Sequence, residues 1–165
     1  VVPGTGLLLN NQMDDFDAAP GAPNLFGLVG SGLNGIEPGK RPLSSMAPTL
    51  VFDADGRVVL AVGAPGGATI PSTVAQVVLH LLADRMPLGQ ALGAPRLHHQ
   101  WRPDVVLVEP FGLDAATAAA LTARGHVLRY GERPFGNPQA AAIDLASGLR
   151  EAASDPRLEG VPAAP

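Results

Sequence analysis

Two apolar runs joined by an Asp-Gly turn constrain the fold of this chain more than any other feature. Thr49-Leu50-Val51-Phe52-Asp53 and Arg57-Val58-Val59-Leu60-Ala61-Val62 flank Ala54-Asp55-Gly56. The pattern predicts a β-hairpin: β-branched and aromatic residues fit a pleated surface, and Asp-Gly tolerates the backbone reversal. The second run leads straight into Gly63-Ala64-Pro65-Gly66-Gly67, and beyond it Val74, Val77, Val78, Leu81 and Leu82 recur at helical spacing. That periodicity predicts a helix over residues 72–85 with Ser72 as its cap. Gly66 and Gly67 therefore fall between a strand end and a helix start. Amides in such a place are free to face a ligand, and the helix dipole there favours negative charge.

The remaining pattern is a mixture of short elements. Leu7, Leu8 and Leu9 read as a short buried strand ending at Asn10-Asn11-Gln12. Residues 88–92 suit a short helix, 105–108 a strand, and 127–130 another strand. Asp114 is placed to cap a helix running to Arg124, which Gly125 ends,. Residues 140–145 read as a strand of small residues turning at Ala146-Ser147-Gly148. Hairpin-paired strands with helices segregated between them indicate an α+β fold. No repeat or linker divides the sequence, so residues 1–165 read as a single domain with its own core,. Residues 18–42 are rich in Gly, Pro and Asn and predict a long irregular loop, of a kind usually functional or disordered. Its apolar patch Leu25-Phe26-Gly27-Leu28-Val29 favours a lid, or a loop packed on a partner.

Charge excludes several function classes. The net charge is −4 and Lys and Arg do not cluster, which argues against nucleic acid or an anionic membrane surface as partner. The apolar runs are too short to span a bilayer. Charged residues make up only 16 % of the chain. Either a partner covers part of the surface, or the chain is simply rich in Ala and Gly. Cysteine is absent, so disulfides, thiol nucleophiles and thiolate-bound metals are excluded. His98-His99-Gln100-Trp101 invites a metal reading, but adjacent side chains point in different directions and no third ligand stands at a recognisable spacing. Neither a metal nor a cofactor is expected. No secretory signal opens the chain, and Val1-Val2-Pro3-Gly4 resembles the middle of a polypeptide.

Three segments carry candidate chemistry. In Asn10-Asn11-Gln12-Met13-Asp14-Asp15-Phe16, Asp15 can hold an ammonium group through charge-assisted hydrogen bonds, and Gln12 adds a donor and an acceptor. The alternative is that these residues satisfy only a local turn. In Pro42-Leu43-Ser44-Ser45-Met46, two hydroxyls suit a carboxylate ligand, or else cap a turn. Neither serine sits in a Gly-x-Ser-x-Gly elbow, which argues against a nucleophilic role. Gly66 and Gly67 can present adjacent amides to an oxyanion, or form a plain tight turn. An acid with amides, a hydroxyl pair and a glycine pair together suit a zwitterion, such as a free amino acid, beside a reacting carbonyl.

In order and spacing these segments resemble the small subunit of the γ-glutamyltransferase family, from about Gly4 to Arg157. The Ala94-Pro95-Arg96-Leu97-His98-His99-Gln100-Trp101 and Ala153-Ser154-Asp155-Pro156-Arg157 stretches also match, and both read as structural, the second as a turn with an Asp–Arg contact. The resemblance implies an N-terminal nucleophile hydrolase fold, a four-layer αββα sandwich of which this chain forms the small-subunit portion. It places Gln12 and Asp15 on the α-amino group of a γ-glutamyl donor, Ser44 and Ser45 on its α-carboxylate, and Gly66 and Gly67 in the oxyanion hole.

The resemblance further implies an autoprocessed heterodimer with a large subunit as partner. Its donors are glutathione or other γ-glutamyl compounds, its acceptors water, amino acids or peptides, and its location periplasmic or secreted. The family's nucleophile is an N-terminal Thr some tens of residues upstream of the Asn-Asn-Gln segment. Thr5, inside Gly4-Thr5-Gly6, is a poor substitute, so the expectation is a small subunit lacking its first segment and inactive alone. Phe26 stands where lidded bacterial relatives often have Tyr, implying a lid held differently. The alternatives are a glutaryl or cephalosporin acylase of the same fold, and a non-catalytic remnant or partner-binding subunit. Asp15 with Gln12 favours a γ-glutamyl donor over a glutaryl one, which has no α-amino group.

Overall fold

The computed structural model describes residues 1–131 and 134–163; positions 132, 133, 164 and 165, which the single-domain reading also takes in, lie outside the described residues. The chain divides into two compact units, Val1–Ser44 and Ser45–Pro165.

The second unit is built on the hairpin. Strand β1 (Thr49–Phe52) pairs antiparallel with β2 (Val58–Gly63), with a register shift between Val51 and Phe52. Asp53 organises the turn: its carboxylate accepts from the backbone N–H of Asp55 (3.0 Å) and of Arg57 (2.8 Å), and from the Arg57 guanidinium at 2.7 Å. Those bonds, the Arg57 amide foremost, hold the Asp53 carboxyl below its usual range. Strand β2 also pairs with β6 (Gln139–Ile143), and β6 with β7 (Arg150–Ser154), giving an antiparallel sheet in the order β1-β2-β6-β7. A smaller sheet runs β3 (Leu97–His98), β4 (Val106–Val108), β5 (Leu128–Tyr130), with β4 and β5 parallel. The helices are α1 (Ile70–Leu82), α2 (Leu88–Gly93) and α3 (Ala115–Ala123). As expected, Asp114 caps α3 by accepting from the Thr117 amide at 2.8 Å.

One face of the larger sheet carries the core. Leu60 and Val62 of β2 and Ala140 of β6 pack with Ile70, Val74 and Val77 of α1 and Leu88 and Leu92 of α2. Val74, Val77, Val78 and Leu81 of the stripe read from the sequence lie on this face, whereas Leu82 at the helix end is exposed; the i, i+3, i+4 spacing is what turns Val74 and Val77 inward. Small residues on β6 and β7, Ala142 and Ala153 among them, let α2 lie close to both strands.

Several expectations are corrected. Ser72 lies inside α1; Thr69 is the N-cap, and Pro71 in the first turn supplies the preset φ that starts the helix,. The helix ends at Leu82, and Arg85 takes a positive φ of 57°. Leu7, Leu8 and Leu9 form no strand and are 63–81 % exposed, because an apolar run becomes a strand only where a neighbour completes its ladder. Strands β3 and β7 were not anticipated. Residues 97 and 98 are too few to show alternation, and β7 is mostly polar or small.

Behind α2, three buried charges and the half-buried Arg157 come together. Arg96, Glu109 and Asp155 are each 1–2 % exposed. Arg96 Nη2 meets Asp155 Oδ2 at 2.7 Å and also donates to the Leu92 carbonyl. Arg157 bonds Glu109 Oε2 at 2.7 Å and Asp155 Oδ1 at 3.0 Å. The second of these is the Asp–Arg contact expected of the Asp155-Pro156-Arg157 turn. Removing one member strands a buried charge, at a typical cost of ~3–5 kcal/mol. Asp155→Ala is therefore expected to lower stability by about that amount in denaturant unfolding. A change under about 1 kcal/mol, the scale of an exposed pair, would show that the cluster is solvated.

Candidate functional site

In the first unit, the Asn10–Phe16 segment is a short 3₁₀ turn over Gln12–Asp15. Asn10 starts it by accepting the Gln12 amide on its side-chain oxygen at 3.1 Å, an Asx turn. In a 3₁₀ helix residues i and i+3 eclipse, so Gln12 and Asp15 leave the turn on the same side. Gln12 is exposed and Asp15 half-buried. Phe16 and Asp17 behind them are buried, which anchors the turn while its polar side stays accessible.

The backbone of Asp15 is held from two directions. Its carbonyl accepts from the side-chain amides of Asn34 at 2.8 Å and Asn24 at 3.3 Å. Asn24 Oδ1 also accepts from the amides of Phe26 and Leu28, both at 3.0 Å. The predicted loop thus has a defined root, though it contains only two isolated bridges, Asp17↔Gly35 and Pro23↔Val29. The Asp17 carboxylate accepts from the Gly32 amide at 3.2 Å. It lies so close to Gly30 that a Cβ there would stand 2.0 Å from Asp17 Oδ1. Ser44 closes the first unit and is exposed. The preceding Leu43 amide donates to Asn34 Oδ1 at 2.9 Å. Within this unit, then, Asn34 ties the Asp15 turn to the segment bearing Ser44.

In the second unit, Ser45 is half-buried in an extended stretch ahead of β1. Gly66 and Gly67 lie between the end of β2 and α1, as expected, with a 3₁₀ turn over Gly67–Thr69 between them and the helix. Gly66 takes a φ of 144° and Gly67 one of 55°. The Gly66 carbonyl accepts from the Thr69 amide at 3.1 Å and the Thr69 hydroxyl at 2.9 Å. The first N–H groups of such a turn have no acceptor within it, so the Gly66–Gly67 amides remain available to a ligand. Sequence reasoning missed Gly136, which backs this loop: its Cα is 3.6 Å from where a Gly66 Cβ would stand.

His98 is structural, as expected. It is buried, its Nδ1 lies 2.8 Å from Ser72 Oγ and its Nε2 2.9 Å from Gln100 Oε1. Gln76 of α1 both donates to and accepts from the Leu97 backbone at 2.8 Å, standing in for a strand at the edge of the smaller sheet. No group of three or more His, Asp or Glu able to hold a metal ion occurs among the described residues. No helix among them is long and apolar enough to cross a membrane.

The family model for Gamma-glutamyltranspeptidase matches residues 1–164. The chain belongs to that family. The Escherichia coli (strain K12) glutathione hydrolase proenzyme is 45 % identical over 153 residues, 93 % of this chain and 26 % of the relative. The Pseudomonas aeruginosa glutathione hydrolase proenzyme is 45 % identical over 163 residues, 98 % of this chain and 29 % of the relative. The chain thus spans little more than a quarter of these relatives' length. Among solved structures, a Helicobacter pylori gamma-glutamyltranspeptidase mutant superposes with a TM-score of 0.88 at 42 % identity, covering 96 % of this chain and 85 % of that one. Gamma-glutamyltranspeptidase from Pseudomonas nitroreducens complexed with L-DON gives a TM-score of 0.86 at 42 % identity, covering 99 % and 84 %. These neighbours place the chain in the N-terminal nucleophile hydrolase fold, with the mixed α+β content expected.

Gly66 carries a backbone requirement open to test. A Cβ there would stand 2.5 Å from Thr69 Oγ1, at a φ that L-residues rarely adopt. Gly66→Ala is expected to cost about 1–3 kcal/mol of stability, read by denaturant unfolding. Adding Thr69→Ala relieves the clash but not the φ, so recovery should be partial. Full recovery would show that the positive φ carries no cost.

Proposed function

We propose that this chain is the donor-binding part of a γ-glutamyl hydrolase and transferase acting on glutathione and related γ-glutamyl compounds, completed by a large subunit of the same precursor. The observation that carries this reading is the 3₁₀ turn that sets Gln12 and Asp15 on one side, in a family whose relatives include glutathione hydrolase proenzymes. An ammonium group is the ligand such a carboxylate and amide suit best.

In this reading Asp15 and Gln12 hold the donor's α-ammonium, and Ser44 and Ser45 donate to its α-carboxylate. The nucleophile in this reading is a threonine hydroxyl contributed from upstream of Asn10. Its own α-amine takes the hydroxyl proton as the oxygen bonds the γ-carbonyl carbon. The carbonyl π electrons move onto oxygen, and the amides of Gly66 and Gly67 stabilise that charge. When the oxyanion collapses, the C–N bond breaks and the departing amine takes the proton. An ester to threonine remains, which water or an acceptor amine cleaves. Residues 18–42, rooted on Asp15 by Asn24 and Asn34, form the lid of the site.

The test is donor preference in the full-length gene product. γ-Glutamyl-p-nitroanilide should be cleaved well and its glutaryl analogue poorly. Loss of a hydrogen bond to a charged group costs about 1.5–3 kcal/mol, so Asp15→Ala should lower kcat/KM for the γ-glutamyl donor by about 10- to 150-fold. Preferential cleavage of the glutaryl compound would favour an acylase, and cleavage of neither a non-catalytic role.

A further inference from the structure

We propose that Asn34 is a positioning residue that sets the spacing between the two ends of the amino-acid recognition site, an inference that rests on the donor-binding roles of Asp15 and Ser44. Asn34 is 9 % exposed, and both ends of its side-chain amide and its main-chain carbonyl are hydrogen-bonded. Its Nδ2 donates to the Asp15 carbonyl at 2.8 Å, its Oδ1 accepts from the Leu43 amide at 2.9 Å, and its own carbonyl accepts from the Asp17 amide at 3.0 Å. Two stretches far apart in sequence, residues 15–17 and residue 43, thus meet on one residue.

The chemistry of the ligand explains why such a bridge matters. An α-amino acid carries its ammonium and carboxylate on one carbon, so the groups that receive them must stand at one fixed separation. Asp15 sits on a 3₁₀ turn, and Ser44 follows an irregular loop with no ladder to hold it. Neither element sets the distance to the other. A planar side-chain amide does: its donor and acceptor ends are rigidly related, and here one end holds the Asp15 backbone and the other the backbone next to Ser44. Asn24 also bonds the Asp15 carbonyl, but its oxygen turns to Phe26 and Leu28, within the loop itself. Asn34 bridges residues 15 and 43 with the two ends of its side chain. It touches no substrate atom in this account and acts through Asp15 and Ser44.

The experiment is a double-mutant cycle in the full-length enzyme, with γ-glutamyl-p-nitroanilide as donor and thermal unfolding of every variant. Misplacement of a binding group by about 1 Å can cost on the order of 100-fold. Asn34→Ala should therefore lower kcat/KM by between about 10- and 100-fold, with most of the loss in KM. In the Asp15→Ala background the same substitution should cost less than about threefold, because the group it positions is gone. Asn34→Asp keeps an acceptor for the Leu43 amide but loses the donor to Asp15, and should follow Asn34→Ala. It decides the matter if Asn34→Ala does not fold. Losses that multiply across the cycle, an unchanged KM, or failure of both variants to fold would overturn the proposal and leave Asn34 a stability residue. If Asp15→Ala itself leaves γ-glutamyl cleavage unchanged, the donor-binding reading fails first, and the two failures are told apart.

Discussion

The second unit depends on the charge cluster of Arg96, Glu109, Asp155 and Arg157. Taking such groups out of water costs several kcal/mol per ion, and only close pairing with well-filled hydrogen bonds offsets it. Here the pairing is close. Glu109 accepts from the Arg96 amide (3.0 Å), the Phe135 amide (2.8 Å) and Arg157 (2.7 Å). Asp155 accepts from Arg96, from the Arg157 guanidinium and from the Arg157 amide. The terminal nitrogens of the two guanidiniums also donate to the carbonyls of Leu92, Gly93, Ala94 and Phe135, while the buried Arg96 Nε has no hydrogen-bond partner among the described residues. Burial lowers the affinity of Arg96 for its proton. For Arg157 burial acts the same way, but its hydrogen bonds to Glu109 and Asp155 outweigh it and raise that affinity. The cluster joins the end of α2, β3, β4, the residues leading into β6, and the end of β7, none of which is long enough to fix itself.

That joint reaches the candidate oxyanion loop through one short path. Glu109 accepts from the Phe135 amide and Arg96 donates to the Phe135 carbonyl at 3.0 Å, so the backbone of residue 135 is held on both sides. The Phe135 ring lies edge-on to His98 at a centroid distance of 6.1 Å, and His98 is bonded to Ser72 in the first turns of α1. Gly136 follows directly and backs Gly66. A loop that must present amides in one direction needs a rigid rear wall, because amides lower a barrier only if they are already oriented. The ion cluster is therefore part of the support of the glycine loop, even though it holds no candidate substrate group.

How much of this was legible in the sequence follows from the range of each interaction. The hairpin and α1 were readable because their signals are local: two apolar runs on either side of an Asp-Gly turn, and the valine–leucine stripe from Val74 to Leu82. Asp114 was readable as a cap because a cap acts over three residues. Ser72 was misassigned because the N-cap lies three positions earlier, at Thr69, whose side chain makes no cap bond, and only the path of the Gly66–Thr69 turn sets that start. Gln12 and Asp15 could be picked by residue type, but not that a 3₁₀ turn would align them. Asn34 was invisible. It is one Asn in a Gly-rich loop, and its partners lie 19 residues back and 9 ahead.

The first unit shows what a segment can do with almost no core. Of its residues, Phe16 is the buried hydrophobic one, while Asp17 and Asn34 are buried and polar. Apolar burial at roughly 25 cal/mol per Å² cannot hold some forty residues in place from so little surface. Side-chain to backbone hydrogen bonds take that part instead: Asn24, Asn34 and Asp17 each bind amides or carbonyls that a helix or sheet would otherwise satisfy. Each such bond contributes only about 0.5–1.5 kcal/mol net, yet each is directional in a way that apolar contact is not. A binding site for a small zwitterion needs direction more than depth. The composition of residues 10–44, poor in buried hydrophobics and rich in Asn, Asp and Gly, is thus the composition of a segment shaped by hydrogen-bond geometry and only marginally stable apart from it.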